Sequence, residues 1–135
     1  MSRIKQGKEL TRIQEQVREI NLEIGRPAVA QALERMRMEL RLSKKRGYTA
    51  VKLIHGFGSS GTGGKIRTAV RRELAAMQQR GEIGDVIFGE KLTIFSPETQ
   101  ELLRRCPSFR KDPDLERYNN GITVVVIKKS KENNR

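Results

Sequence analysis

The sequence predicts a single α/β domain in which strands and helices alternate along the chain. Three observations support this prediction. The length of 135 residues suits one domain with its own core and is short for two. Apolar residues recur at every second position in some segments and at helical spacing in others. The order strand, helix, strand, helix favours parallel strands joined by right-handed crossovers.

The first part of the chain predicts an extension, a strand and a helix. Residues 1–18 are polar with apolar residues at helical spacing, which predicts a helical N-terminal extension. Residues 19–24 alternate polar and apolar side chains, as a half-buried strand does. Pro27 suits the first turn of the amphipathic helix predicted over residues 28–45, and Gly47 suits its C-terminal cap.

The centre of the chain repeats this order. Residues 50–54 form a short apolar run, which predicts a buried strand. A glycine-rich stretch over residues 56–64 follows, and then a second amphipathic helix that Gly81 closes. Residues 85–88 predict one further short strand.

The last part of the chain is less regular. Residues 89–120 are predicted to form an irregular insertion that holds one short helix over residues 97–105. Residues 122–127 are almost entirely β-branched, which predicts a central strand. The charged residues 129–135 are predicted to be a disordered basic tail. The domain itself is therefore predicted to span residues 19–128.

The positive charge is concentrated in one segment. The chain has 28 Lys and Arg against 16 Asp and Glu, a formal net charge of +12. Residues 41–80 hold ten basic residues and the single acidic residue Glu73, and so carry +9 of this charge. Such a concentrated field predicts a polyanionic partner. The alternative is a solvated basic surface without a partner.

Composition excludes several other classes. No apolar run is long enough for a transmembrane helix, so no membrane partner is expected. The first residues lack the apolar stretch of a secretory signal. The single cysteine, Cys106, rules out an internal disulfide and a cysteine-based zinc site, and it is expected to be an ordinary buried residue. A cytoplasmic protein is expected.

A glycine-rich turn joins the predicted strand over residues 50–54 to the next helix. In such a turn backbone N–H groups can converge on an anion, and the helix N-terminus adds partial positive charge. The first turns of the helix carry the cations Lys65, Arg67, Arg71 and Arg72. Because the helix dipole disfavours basic residues there, an external anion would relieve the cost. The pattern predicts phosphate binding, and the alternative is a flexible loop whose glycines serve only geometry.

Two nucleotide-binding motifs can be compared with this stretch. Residues 56–61 match G-x-G-x-x-G, but Asp85 begins the next predicted strand instead of ending it, and the remaining chain is short for that fold. The P-loop pattern fails because the spacing from Gly58 to Gly64 is one residue too long. Ile66 also stands where that pattern requires Ser or Thr.

His55 is the only histidine and stands at the mouth of the glycine-rich turn. It could bind a phosphate when protonated, act as a general base, or hydrogen-bond within the loop as a structural residue. The aromatic residues nearest to the turn in sequence are Tyr48 and Phe57, so stacking would involve at most one or two bases. Specificity is then expected from nucleic-acid shape or single-stranded structure.

Several segments together resemble the Smr domain, a module also found at the carboxyl end of MutS2 proteins. They are Ile54-His55-Gly56-Phe57-Gly58, Ile66-Arg67 at the start of a helix, and Gly121-Ile122-Thr123-Val124-Val125-Val126. The resemblance covers residues 19–128. It implies a compact two-layer β-α-β-α-β-β sandwich, similar to the carboxyl-terminal domain of a translation initiation factor. It also implies binding of DNA or RNA, and several members nick DNA or cleave RNA.

The chain departs from the Smr pattern in two respects. Where members carry Asp-Leu-His-Gly, this chain reads Leu22-Glu23-Ile24-Gly25 and lacks the histidine. The glycine-rich loop is also about three residues longer than the usual form. By analogy His55 is the candidate acid or base and Glu23 a stand-in carboxylate. Cleavage stays open, and a divalent metal is expected only if the chain is a nuclease.

The sequence thus predicts a nucleic-acid-binding domain that holds phosphates on the glycine-rich loop and a basic helix. Endonuclease activity and binding of a small phosphorylated ligand are the alternatives. The ribosome and recombination intermediates are candidate targets. No cofactor and no metal ligand are otherwise expected. The predicted contact residues are Arg26, His55, Gly56, Phe57, Gly58, Gly61, Gly63, Gly64, Lys65, Arg67 and Arg71.

Overall fold

A computed structural model describes residues 16–57 and 62–128, without the side chains of residues 62 and 63. The element order alternates strands and helices as predicted. Short 3-10 turns over Gly89–Lys91 and Pro107–Lys111 flank the third helix. The elements are β1 (Val17–Asn21), α1 (Val29–Lys45), β2 (Ala50–Ile54), α2 (Thr62–Gln79), β3 (Val86–Phe88), α3 (Pro97–Arg105) and β4 (Ile122–Val126).

The four strands form one mixed sheet in the order β1-β2-β4-β3. β1 runs parallel to β2, whereas β4 runs antiparallel to both β2 and β3. The carboxyl ends of β1, β2 and β3 therefore meet the amino end of β4 at one edge of the sheet. We call this edge, which carries Asn21, Ile54, Phe88 and Ile122, the top edge. Each loop that leaves or enters the sheet there can contribute to a common site.

The first face of the sheet is covered by α1 and α2. Both helices bury side chains three or four positions apart, because this spacing places them on one side of a helix. These side chains pack with Val51, Leu53 and Val125 of the sheet into one core. The buried helical residues are Ala32, Met36, Leu40, Ile66, Val70, Leu74 and Met77.

The second face is covered by residues of the predicted insertion. Leu102 and Leu103 of α3 pack with Cys106, Phe109 and Val124 into a second core. The predicted helix over residues 97–105 is confirmed, and the Ser96 hydroxyl caps its first turn by accepting from the Thr99 amide at 3.3 Å. Residues 89–120 thus add a cover to the second face, which their irregular sequence did not predict.

The predicted α/β class and strand-helix order are confirmed, and β4 is the buried central strand that its β-branched run predicts. β1 begins two residues before the predicted strand, because Val17 pairs with Ala50 instead of continuing a helix. Residues 22–25 form a turn and not the end of the strand. The predicted leading helix falls mainly on residues 1–15 and the predicted tail on residues 129–135, all outside the described residues. None of the helices described is long and apolar enough to cross a membrane.

Candidate functional site

Four turns meet at the top edge of the sheet. The turn over residues 22–25 follows β1, His55 to Phe57 follow β2, Gly89 follows β3, and Gly121 precedes β4. The amino terminus of α2 lies in the same region because the glycine-rich loop connects it to β2. β1 and β2 are neighbours, as the predicted proximity of Arg26 to this loop requires.

His55 is fully buried at the top edge and both of its ring nitrogens have protein partners. Nδ1 lies 2.8 Å from the Gly56 carbonyl oxygen. Because that oxygen can only accept, we assign the proton to Nδ1. Nε2 then accepts from the Thr123 hydroxyl at 2.9 Å, and the Thr123 oxygen accepts from Arg71 Nε at 3.1 Å. His55 therefore closes a directed chain of hydrogen bonds that runs from α2 through β4 to the turn after β2.

The environment of His55 keeps its ring neutral. Burial lowers the pKa of His55 from 6.5 to about 4, and the positive charges of Arg71 and Arg67 act in the same direction. The hydrogen bond to the Gly56 carbonyl opposes this shift without reversing it. In this arrangement a ring nitrogen of His55 could act on a phosphate or a proton only after giving up its hydrogen bond to Gly56 or to Thr123. The geometry favours the structural interpretation of His55.

Arg71 joins three parts of the site. Its guanidinium donates to the two carboxylate oxygens of Glu90 at 2.8 and 2.9 Å and to the Ile122 carbonyl at 3.1 Å. It also lies over the Phe88 ring, 4.0 Å from the centroid. Burial raises the pKa of Glu90, but the hydrogen bonds from Arg71 outweigh this and hold it below its usual range. Arg71 is thus engaged within the protein and ties α2 to β3 and β4.

Gly56 is required by geometry. Its φ of +80° is a left-handed conformation that favours glycine, and an added Cβ would overlap the carboxylate of Glu23. The amides of His55 and Gly56 both donate to the Gly121 carbonyl oxygen at 3.0 Å. The Gly56 amide is therefore already hydrogen-bonded within the protein. Glu23, in the turn after β1, thus lies against Gly56 in the turn after β2, whereas the His55 ring is hydrogen-bonded to Gly56 and Thr123.

The remaining predicted glycines divide into two groups. Gly58 and Gly61 lie outside the described residues. Gly63 and Gly64 lie in the first turn of α2, which begins at Thr62 and has no acidic residue in that turn. The N-terminus of α2 thus keeps the positive end of its dipole without a compensating side chain from its own first turn.

The other cations of α2 contrast with Arg71. Among the residues that the structure describes, Lys65, Arg67 and Arg72 make no hydrogen bond or ion pair through their side chains. Lys65 and Arg72 are exposed, and Arg67 is half-buried close enough to His55 to lower its pKa. Lys65 and Arg72 also line a shallow groove of about 470 Å³ with Thr68 and Val29. Within α2 these three cations are open to an external anion, and Arg41, Lys44 and Lys45 at the end of α1 are exposed as well.

Sequence reasoning missed an anchor for the loop before β4. Lys52 of β2 is 3% exposed, and its ammonium donates to Asp112 at 3.0 Å and to Asp114 at 2.7 Å. Asp114 accepts from the Asn119 amide at 2.9 Å, and the Asn119 side-chain oxygen accepts from the Gly121 amide at 2.9 Å. A buried lysine thereby holds the loop that contacts Gly56. The available signal was a lone lysine in an otherwise apolar strand.

The two aromatic residues nearest to the glycine-rich turn in sequence are not both near it in the structure. Phe57 is 57% exposed at the top edge. Tyr48 precedes β2 and so lies at the opposite edge, half-buried with Arg18 5.9 Å from its ring centroid. Tyr118 and Phe95, which were not predicted, are 63% and 82% exposed. Among the described residues, no three His, Cys, Asp or Glu side chains are grouped to hold a metal ion.

Comparisons with known proteins support the fold. No protein-family profile matches the chain, and no curated protein matches its sequence. The structure is similar to the crystal structure of the Smr domain of Thermus thermophilus MutS2, with a TM-score of 0.50 and 20% sequence identity. The match covers 82% of this chain and 98% of that domain. The chain therefore has an Smr-like fold, as its sequence resemblance implies.

Proposed function

We propose that this protein is a nucleic-acid-binding domain that holds DNA or RNA phosphates at the amino terminus of α2. The observation that carries the proposal is that some basic side chains on and around α2 are paired with carboxylates, whereas others are not. Arg71 is engaged by Glu90, and Arg37 and Arg80 by Glu73. Lys65, Arg67 and Arg72 have no such partner among the described residues.

Electrostatics favours an external anion at this place. Lys65 lies near the amino terminus of α2 and opposes the helix dipole, and Arg72 follows two turns later on the same side, so the two cations repel each other. Arg67 lies on another side, towards His55. A phosphate group removes both costs and accepts hydrogen bonds from guanidinium and ammonium groups. The groove beside Lys65 and Arg72 is open enough to admit a phosphate backbone. Arg26 and the glycine-rich loop, including Gly58 and Gly61, complete the proposed contact surface.

In this proposal His55, Gly56 and Arg71 position the site. The His55 hydrogen bonds fix the turn from which the glycine-rich loop leaves the sheet, and Arg71 fixes α2 against β3 and β4. Binding then requires no protonation of His55. The nuclease alternative instead requires His55→Gln to abolish cleavage while binding is kept. The Smr-like fold supports a nucleic-acid partner because the resemblance implies one.

The test is a salt series of binding measurements on single-stranded and duplex DNA and RNA. One variant changes Lys65, Arg67 and Arg72 to Ala. The matched control changes Arg41, Lys44 and Lys45 to Ala, which removes the same charge from exposed residues at the end of α1. That end lies at the opposite edge of the sheet, because β2 begins only a few residues later.

Phosphate binding predicts a linear fall of log affinity with log salt concentration. The α2 variant should flatten this slope on duplex DNA by about one unit for each phosphate contact that is lost, whereas the control should leave most of the slope unchanged. Equal effects of the two variants would mean that only net charge matters, and the site would be rejected. Absence of binding to every nucleic acid would reject the function itself.

A further inference from the structure

We propose that the exposed rings of Phe57, Tyr118 and Phe95 stack unpaired bases, so that the preferred ligand is single-stranded DNA or RNA. This inference rests on the proposed function and names its substrate class. We call these three side chains the aromatic surface. Phe95 and Tyr118 line one groove along β3, and Phe57 lies at the top edge of the sheet.

The exposure of these rings is unusual for this chain. The protein has only six aromatic residues, and three of them are more than half exposed. Phe109, by contrast, is buried in the second core. Because burial of a ring is favourable, exposed aromatic residues that lie together mark a binding surface. Every base has a π-face, so such rings bind single strands with little sequence preference.

A groove of about 540 Å³ places two of these rings together. Tyr118 and Phe95 both line it, together with Phe88 and Lys91. The groove follows β3, which is an edge strand of the sheet. The remaining walls supply acceptors as well as apolar surface, since Glu98 also lines the groove. A flat ring with exocyclic amino groups matches this combination better than an aliphatic side chain does.

Phe57 connects the groove to the phosphate site. An added Cβ at Gly121 would lie 3.0 Å from Phe57 Cδ1, so the Phe57 ring lies against Gly121, three residues after Tyr118. Phe57 also precedes the glycine-rich loop that leads to Lys65 and Arg67 of α2. A strand whose phosphates contact α2 can therefore place its bases on Phe57 and continue towards Tyr118.

The loop that carries Tyr118 is held in place before any ligand binds. Tyr118 and Glu116 have φ values of +54° and +66°, a left-handed conformation that is unfavourable for both residues. Such strain persists only where the surroundings fix the backbone, and it concentrates at functional sites. Here the Glu116 carboxylate accepts from the Ile94 amide at 2.7 Å, and Asp114 holds Asn119. These hydrogen bonds hold the backbone on both sides of Tyr118.

The groove carries charges of both signs, since Lys91, Glu90 and Glu98 line it and Glu90 is paired with Arg71. Lys91 lines the groove, and Arg117 adjoins Tyr118 in sequence; both are exposed. Neither side chain makes an ion pair within residues 16–57 and 62–128. Cations interleaved with exposed aromatic rings suit a single strand, because the rings take the bases and the cations take the phosphates.

The experiment compares affinities for a single strand and for the duplex of the same sequence. Phe57, Tyr118 and Phe95 are changed singly to Ala, and Met38→Ala on α1 is the control, since Met38 is 53% exposed on a different element. Each aromatic variant should weaken single-strand binding by about tenfold. Duplex affinity and the salt slope should stay unchanged, because paired bases cannot stack on the rings and no phosphate contact is lost.

Tyr118→Asn is a second variant in case Tyr118→Ala perturbs the loop, because Asn tolerates the left-handed conformation. A direct measurement uses the tyrosine fluorescence of the Tyr48→Phe variant. The chain has no Trp and only two Tyr, so this variant reports Tyr118 alone. Addition of oligodeoxyadenylate, whose bases carry an exocyclic amino group, should quench the signal as bases stack on the ring.

The outcomes separate the two proposals. If the α2 variant weakens binding and the aromatic variants do not, the stacking inference fails and the phosphate site stands. If the aromatic variants weaken single-strand and duplex binding equally, stacking of unpaired bases is also rejected. If only the aromatic variants weaken binding, stacking stands and the phosphate site on α2 fails.

Discussion

The buried His55 makes a quantitative prediction about stability at mildly acidic pH. Its pKa falls from 6.5 to about 4 in the folded protein because burial disfavours the charged ring. Between these values the unfolded chain binds a proton that the folded chain does not bind. Stability is therefore complete above pH 6.5 and falls as the pH drops towards 4. The full difference corresponds to about 3 kcal/mol, since a pKa unit is worth about 1.4 kcal/mol.

Two measurements check this prediction. Because His55 is the only histidine, its ring gives an unambiguous NMR signal, which should titrate well below pH 6.5. Urea unfolding should show an unfolding equilibrium constant that rises about tenfold for each pH unit between 6 and 5. His55→Gln is the control, because its amide can donate and accept but does not titrate in this range.

The reasoning would be refuted by a His55 signal that titrates near pH 6.5. A parallel pH dependence of the parent protein and His55→Gln would refute it as well. Either result would mean that the ring is accessible to water and charged at mildly acidic pH. His55 would then be available to a phosphate or a reacting group, and the nuclease alternative would gain its acid or base.

Two further predictions concern the supports of the site. Lys52→Met should lower the free energy of unfolding by about 3 kcal/mol in urea titrations, since it leaves the Asp114 carboxylate without its buried cation. Adding Asp114→Asn should recover part of this loss. A loss below about 1 kcal/mol would contradict the role of Lys52 as an anchor of the loop before β4. Gly89→Ala should cost about 3 kcal/mol, because its Cβ would overlap the Asn119 carbonyl. Gly25→Ala should cost only about 1 kcal/mol, because its φ of +84° is strained but the space is open; equal losses for the two glycines would count against steric overlap.

Local periodicity was sufficient to predict most elements. The helix Pro97–Arg105 has the predicted bounds, and β4 is the predicted central strand. The start of β1 was shifted because Val17 and Ile20, three residues apart, fit a helical stripe, whereas in the strand they face opposite cores. Pairing of Val17 with Ala50 decides between them, and that pairing joins residues far apart in the chain.

The candidate site was predicted in outline and not in its contacts. The sequence identified the turn after His55 and the cations of α2. It named Arg71 and not Arg72 as a phosphate contact, although nothing local separates two basic residues on the same helix. Only the position of Glu90 at the end of β3 engages the guanidinium of Arg71. Similarly, Tyr48 is nearer to the glycine-rich loop in sequence than Tyr118, yet β2 separates it from that loop.

The sequence by itself determined the order of the elements, the positions of their buried faces and the segment that concentrates positive charge. These properties follow from interactions between residues close together in the chain. The tertiary structure alone decided which cations are paired, that His55 is neutral, and that residues 89–120 cover the second face. Each depends on strand order, because burial and ion pairing arise where β2, β3 and β4 bring distant segments into contact.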